Sequence, residues 1–179
     1  FKEDQIREYL ANVVGLDKVD DAIDLFSAVH NLTELSKRPY LLSLMAPQIH
    51  DLESRRARGE TVRGVTLYDG LTADWLSRDD GKHKIAAEDK PWLMEDIAAD
   101  MWRSGSREWP WDRVRAWFRE RLAQDDRLAL YRSKDPEVLE EDLRTATFVL
   151  RPDDSADTFR FAHASLHEYF LARWVARAL

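Results

Sequence analysis

Cysteine is absent from the 179 residues, which excludes disulfides and thiolate metal sites and makes a reducing cytoplasm the expected compartment. Long apolar runs are missing too: none approaches the roughly 18–20 residues that cross a bilayer, and no signal-peptide pattern opens the chain. Membrane partners are therefore not expected. Positive charge is in deficit, with 34 acidic against 27 basic residues and a formal charge of −7. That balance argues against a general nucleic-acid binder, which needs net or clustered positive charge to attract phosphates. No G-x-x-x-x-G-K-[ST] occurs, so the loop that cradles nucleotide phosphates is not in this chain. Nor does an acidic residue close a run of buried-strand residues, as a magnesium-holding site beside such a loop requires. Internal repeats and low-complexity segments are lacking as well. The chain begins with Phe, not Met, inside an amphipathic pattern, and the expectation is a fragment of something larger.

What is present is ordinary for a soluble globular protein: 44% hydrophobic and 34% charged residues. The length suits one domain or two small ones with a real core. Seven tryptophans are many, and they read as core or interface anchors.

From Phe1 to about Asn12 the spacing of Ile6, Tyr9, Leu10 and Val13 predicts a helix. A second follows Gly15 and Asp17, carrying Ala22, Ile23, Phe26, Val29 and His30; His30 reads as a half-buried or surface histidine, not a ligand. In Asn31-Leu-Thr-Glu-Leu-Ser-Lys-Arg-Pro-Tyr-Leu-Leu-Ser-Leu-Met45, a short helical turn ends at Arg38, because the residue before proline is pushed out of the α region. Pro39 then opens a helix, where its missing N–H costs little. That helix runs through Leu41, Leu42, Leu44, Met45 and Ile49 towards Arg58, with Pro47 expected to kink or break it. Arg58-Gly-Glu-Thr-Val-Arg-Gly64 is a loop. Thr66 is expected to cap a helix whose apolar side holds Leu67, Leu71, Trp75 and Leu76. The charged turn Arg78-Asp-Asp-Gly-Lys82 marks a candidate boundary between a helical domain, residues 1–80, and a second domain, residues 82–179. His83 lies in that turn and reads as solvated.

The second domain opens with a helix from roughly Ala87 to Arg103, carrying Trp92, Leu93, Ile97, Met101 and Trp102, with Pro91 in its first turns. Ser104-Gly-Ser106 stops it, and Glu108-Trp-Pro-Trp111 is a short extended or turn segment. A helix with Val114, Trp117, Phe118 and Leu122 follows. Asp135-Pro136 caps and opens another, through Val138, Leu139, Leu143 and Ala146. Thr147–Arg151 reads as a strand, Pro152–Asp157 as a turn and Thr158–Ala162 as a returning strand. The fold class is mainly α: a helical bundle, then a winged-helix domain whose wing is this small β-hairpin.

The last twenty residues concentrate the signal. Phe159 and Phe161 alternate with polar residues, as in a half-buried strand, whereas Leu166, Tyr169, Phe170, Trp174 and Val175 follow helical spacing. Ser165 and Glu168, three apart, have the spacing of a reciprocal capping pair. His163 sits at the corner, beside a helix start whose unpaired N–H groups and positive dipole favour an anion. From the residues alone, His163 is either a phosphate donor or a strand-end residue satisfying a local carbonyl. Pro39, likewise, is a helix-starting proline and nothing more.

Phe161-Ala-His-Ala-Ser-Leu-His-Glu-Tyr-Phe-Leu-Ala172 resembles the end of the winged-helix domain in NACHT-type STAND ATPases, the NLR-like signalling switches, where the pattern is roughly F-x-H-x-S-[FL]-x-E-[YF]-[FL]-A. Lys37-Arg-Pro-Tyr-Leu-Leu-Ser-Leu-Met45 is similar to that family's helical-domain segment, [KN]-x-P-x-L-L-x-L-[LM], although the Gly-Leu-Pro-Leu form of plant relatives is absent. The resemblance implies that His163 touches the β-phosphate of ADP in an autoinhibited state and that Pro39 lines the adenine side. It implies ADP/ATP with Mg2+ in a parent protein, and none bound by this fragment alone. The phosphate loop and hydrolytic residues would lie upstream, so this piece should hydrolyse nothing by itself. The implied partners are an upstream nucleotide-binding domain, a downstream sensor and further copies on activation. The implied setting is signalling in a bacterial cytoplasm, with antiphage defence as the family expectation.

Two other chemistries are weighed on the residues. His163 and His167 stand four apart, a zinc-like spacing, but Glu168 follows the second histidine where a metalloprotease needs it directly after the first or before the second. Ser165 lacks the flanking glycines of a nucleophile elbow. A DNA-binding or protein-interaction winged helix is the alternative function. Arg113, Arg115, Arg119 and Arg121, with Trp111 and Trp117, supply the basic and aromatic content of a DNA-reading helix. Asp112, Glu120, Asp125 and Asp126 interleave with them, which makes nucleic acid the less favoured partner.

Overall fold

Apolar residues spaced three and four apart build nearly every element of this protein, and one short sheet interrupts them. The computed structural model describes residues 2–28, 33, 36–79, 81, 83–144, 149–150 and 158–179. The chain divides into two units, Phe1–Asp74 and Trp75–Leu179.

In the first unit, α1 (Glu3–Val14) buries Ile6 and Leu10, and the Gln5 side chain accepts the Lys2 N–H at 2.9 Å to close its first turn. After a 3-10 turn (Leu16–Lys18), α2 (Val19–Ala28) buries Val19, Ala22, Leu25 and Phe26. Arg7 reaches Asp20 across the pair at 2.7 Å. His30 lies outside the described residues. Pro39 is the first residue of α3 (Pro39–Met45), and Arg38 before it is extended, with φ −101° and ψ 115°. That is the conformation proline imposes on its predecessor. The expected break at Pro47 is a 3-10 turn, Ala46–Gln48, before α4 (Ile49–Ala57).

The next helix, α5 (Gly64–Asp79), starts earlier than the sequence suggests. Thr66 is therefore not the residue preceding the helix. Its hydroxyl lies inside the first turn and accepts the Arg63 N–H at 3.3 Å. Leu67, Tyr68 and Leu71 face the core. Gly70 lies under the Gln48 side chain, which donates to Asp74, and a Cβ at position 70 would run into Gln48 Oε1. The division between the units falls inside α5.

The second unit is mainly helical with a small antiparallel sheet. Its helices are α6 (Lys90–Arg103), α7 (Trp111–Gln124), α8 (Pro136–Arg144) and α9 (Ala164–Ala178), with a 3-10 segment at Asp126–Tyr131. Asp135 caps α8 by accepting the Glu137 N–H at 2.9 Å. The strands are β1 (Trp109–Pro110), β2 (Val149–Leu150) and β3 (Thr158–Phe161) in the order β1-β3-β2. Trp109 faces Phe159 on one side of β3, and Val149 faces Phe161 on the other. The returning strand read from the sequence is thus the centre of the sheet, and Glu108-Trp-Pro-Trp111 supplies an edge strand. A proline is tolerated there because an edge strand need not donate outward. The turn expected at Pro152–Asp157 lies outside the described residues.

Phe159 and Phe161 bury on β3, and Phe161 packs 5.8 Å from Phe170 of α9. Leu93, Ile97 and Met101 of α6 join this core. Trp92 and Trp102 do not: they are 40% and 64% exposed, although the helical spacing placed them with the apolar side. His83 also departs from the solvated reading, because its side chain is 17% exposed and paired with Asp142. Among the described residues, no helix is long and apolar enough to cross a membrane.

Candidate functional site at the strand–helix corner

His163 follows Ala162 between β3 and α9 and is the residue just before the helix, with an extended backbone (φ −151°, ψ 152°). Its Nδ1 accepts the Ser165 N–H at 3.2 Å and lies 2.7 Å from the Ser165 hydroxyl. The histidine ring, not a hydroxyl, therefore caps the helix start. The capping pair expected from Ser165 and Glu168 does not form, because α9 begins at Ala164 and puts Ser165 inside the first turn. Glu168 pairs instead with Arg107 at 3.5 Å on the surface. A ring whose Nδ1 accepts carries its proton on Nε2, which makes Nε2 the donor. The half-buried corner thus presents an oriented imidazole at a helix N-terminus.

His167, one turn on, has a different task. It is 5% exposed, its Nε2–H donates to the Ala98 carbonyl at 2.9 Å, and its ring lies 5.4 Å from that of Phe161. That bond ties α9 to α6 in the core. Among the described residues, no group of three His, Cys, Asp or Glu stands where it could hold a metal ion. Pro39 lies at the head of α3 in the first unit.

The arginines of α7 are committed within the protein. Arg113 stacks on the Trp109 ring at 4.1 Å, and Arg119 reaches buried Glu140 at 2.7 Å, with Arg115 3.4 Å from the same carboxylate. Arg121 pairs with Asp100 at 2.6 Å, and Trp117 donates its indole N–H to that carboxylate at 2.9 Å. Burial alone pushes the Asp100 carboxyl up, but hydrogen bonds from Trp117, Arg121 and Arg103 outweigh it and hold the group below the usual carboxylate range.

A second charged cluster, which the sequence reading does not anticipate, lies on α6. Glu95 and Asp96 of α6 are 2% and 6% exposed. Glu95 accepts from Arg173 and Arg177, each at 2.9 Å, and Asp96 from Arg127 and Arg177, each at 2.8 Å. The available signal was a pair of carboxylates inside an apolar helical pattern, matched by arginines one turn apart on α9.

Comparison of the chain with protein-family models, with curated proteins and with solved structures finds no match.

Proposed function

We propose that this chain is the regulatory region of a nucleotide-dependent signalling switch of the STAND class, resembling its NACHT branch. The observation that carries the reading is His163: a donor imidazole, oriented through Nδ1, at the start of a helix. Such a corner favours an anion by both hydrogen bonding and dipole. The helix–strand–helix–helix–strand–strand–helix order of the second unit supports reading it as a winged helix, with residues 1–80 as the preceding helical domain.

In this reading a nucleotide-binding core precedes Phe1, and ADP is held there with Mg2+. His163 bonds the terminal phosphate of ADP in the resting state, and Pro39 lines the adenine side. A sensor beyond Leu179 responds to a trigger, ATP replaces ADP, the contact is lost and copies of the protein assemble. The setting is a bacterial cytoplasm, with defence against phage as the expected output. A ligand shifts such an equilibrium only through contacts that differ between the two states. A hydrogen bond to a charged group is worth roughly 1.5–3 kcal/mol, or one to two powers of ten in population. The alternative, a DNA-binding winged helix, draws less support because the arginines of α7 already have intramolecular partners.

The test uses the parent protein, nucleotide-binding core included. Denaturation of the purified wild type should release ADP, and His163→Ala should retain less of it and signal without a trigger. Equal ADP in both proteins would remove His163 from the phosphate. No nucleotide in either would sink the switch itself.

A further inference from the structure

We infer that Asp142 and Tyr131 form a clamp that fixes residues 83–86, the stretch leading into α6, onto α8 and the 3-10 segment Asp126–Tyr131. Asp142, on α8, receives three donors. His83 donates through Nδ1–H at 3.0 Å, the Lys84 amide at 2.5 Å and the Ile85 amide at 2.9 Å. The next amide, Ala86, donates to the Tyr131 hydroxyl oxygen at 2.9 Å, and that hydroxyl donates in turn to Asp89. The Lys134 ammonium reaches the Lys84 carbonyl at 3.2 Å.

Three successive amides of a non-helical segment are thus satisfied by side chains 45 to 58 residues away in the chain. Backbone groups outside regular structure ordinarily turn to water or local partners, and a carboxylate accepting two neighbouring N–H groups is a strong, charge-assisted arrangement. Ile85, 3% exposed, is buried at the same point and lines a small cavity together with Trp75, Leu93, Met94 and Leu143. Burial pushes the Tyr131 hydroxyl up to about 12, and its bond to Asp89 adds to this. The hydroxyl keeps its proton at neutral pH and serves both neighbours.

The consequence is a conformational device. Residues 83–86 travel with α8 and do not behave as a free connector. Gly81, at φ 71° and with open space around it, is the described position just before the clamp where the backbone can turn.

Amide hydrogen exchange on the full chain tests it. In Asp142→Ala the Lys84 and Ile85 amides should exchange faster, on the order of tenfold to a hundredfold. Ile97 and Met101, inside α6, should keep their rates. Asp142→Asn retains an acceptor oxygen and should recover part of the protection. Tyr131→Phe should expose Ala86 while Lys84 and Ile85 stay protected. Unchanged exchange at Lys84 and Ile85 in Asp142→Ala would overturn the clamp. So would equal acceleration of Ile97 and Met101 in both Asp142→Ala and Tyr131→Phe, since these side chains would then support the whole unit and not one segment.

Discussion

Glu95 and Asp96 are neighbours on α6, and both carry charge into the interior, where an unpaired carboxylate is costly. Arg177 answers both at once through the two ends of its planar fork, Nη1 to Glu95 and Nη2 to Asp96, a spread that a lysine's compact ammonium does not reproduce. Removing it leaves Glu95 with Arg173 and Asp96 with Arg127, so each acid keeps one partner. Arg177→Ala should therefore cost about 1–3 kcal/mol, less than full loss of a buried pair. Arg177→Lys should recover only part of that, as urea unfolding midpoints would reveal. An unchanged midpoint in Arg177→Ala would mean that this cluster is solvated in solution. The arginines are visible in the sequence one turn apart, but their acids lie 78 and 81 residues away. No local pattern links positions so distant. His83 escaped for the same reason, since its partner is 59 residues on.

The last helix is made of two unlike halves. Between Ser165 and Phe170 it is held by apolar burial, whereas beyond Phe170 no residue is buried and the anchors are ion pairs and ring contacts. Arg173 and Arg177 bind the acids, and Arg103 stacks 4.4 Å over Trp174. The acids of these pairs are buried and the arginines part-exposed, so salt screens them only in part, while it leaves apolar burial intact or strengthens it. Raising the salt concentration should speed amide exchange in residues 171–178 and leave residues 166–170 unchanged. Uniform behaviour along the helix would contradict the division. The strand-to-helix corner could be read from the sequence because the apolar period changes from two to 3.6 on either side of His163. The cap could not, because a shift of two residues in the helix start moves that task from Ser165 to His163. Nor could β1, whose two residues are too few to show a period.

Over the whole molecule, acid excess coexists with heavy internal pairing of the second unit's arginines. Asp100 and Asp125 are both held below the usual carboxylate range. At Asp125 the Arg127 hydrogen bond is the main cause, and it overcomes burial; at Asp100 three hydrogen bonds overcome the larger burial effect. A carboxyl depressed on folding adds stability above its unfolded pKa, and that contribution disappears as pH falls through the folded value. Thermal stability should therefore decline from about pH 4 downwards. In Asp100→Asn that acid limb should be shallower, and an identical slope in the variant would remove Asp100 from the account. The mainly helical character and the placement of long helices were legible from apolar spacing. The electrostatic wiring, assembled from residues far apart in the chain, was not.

Gly70 and Gln48 carry a consequence for how such a sequence changes over generations. A methyl at 70 would push aside the Gln48 amide, the movable end of a side chain, and that movement takes the amide from Asp74. A change at either position therefore disturbs the same hydrogen bond. Gly70 and Gln48 are thus coupled through Asp74, and a substitution at one is felt at the other.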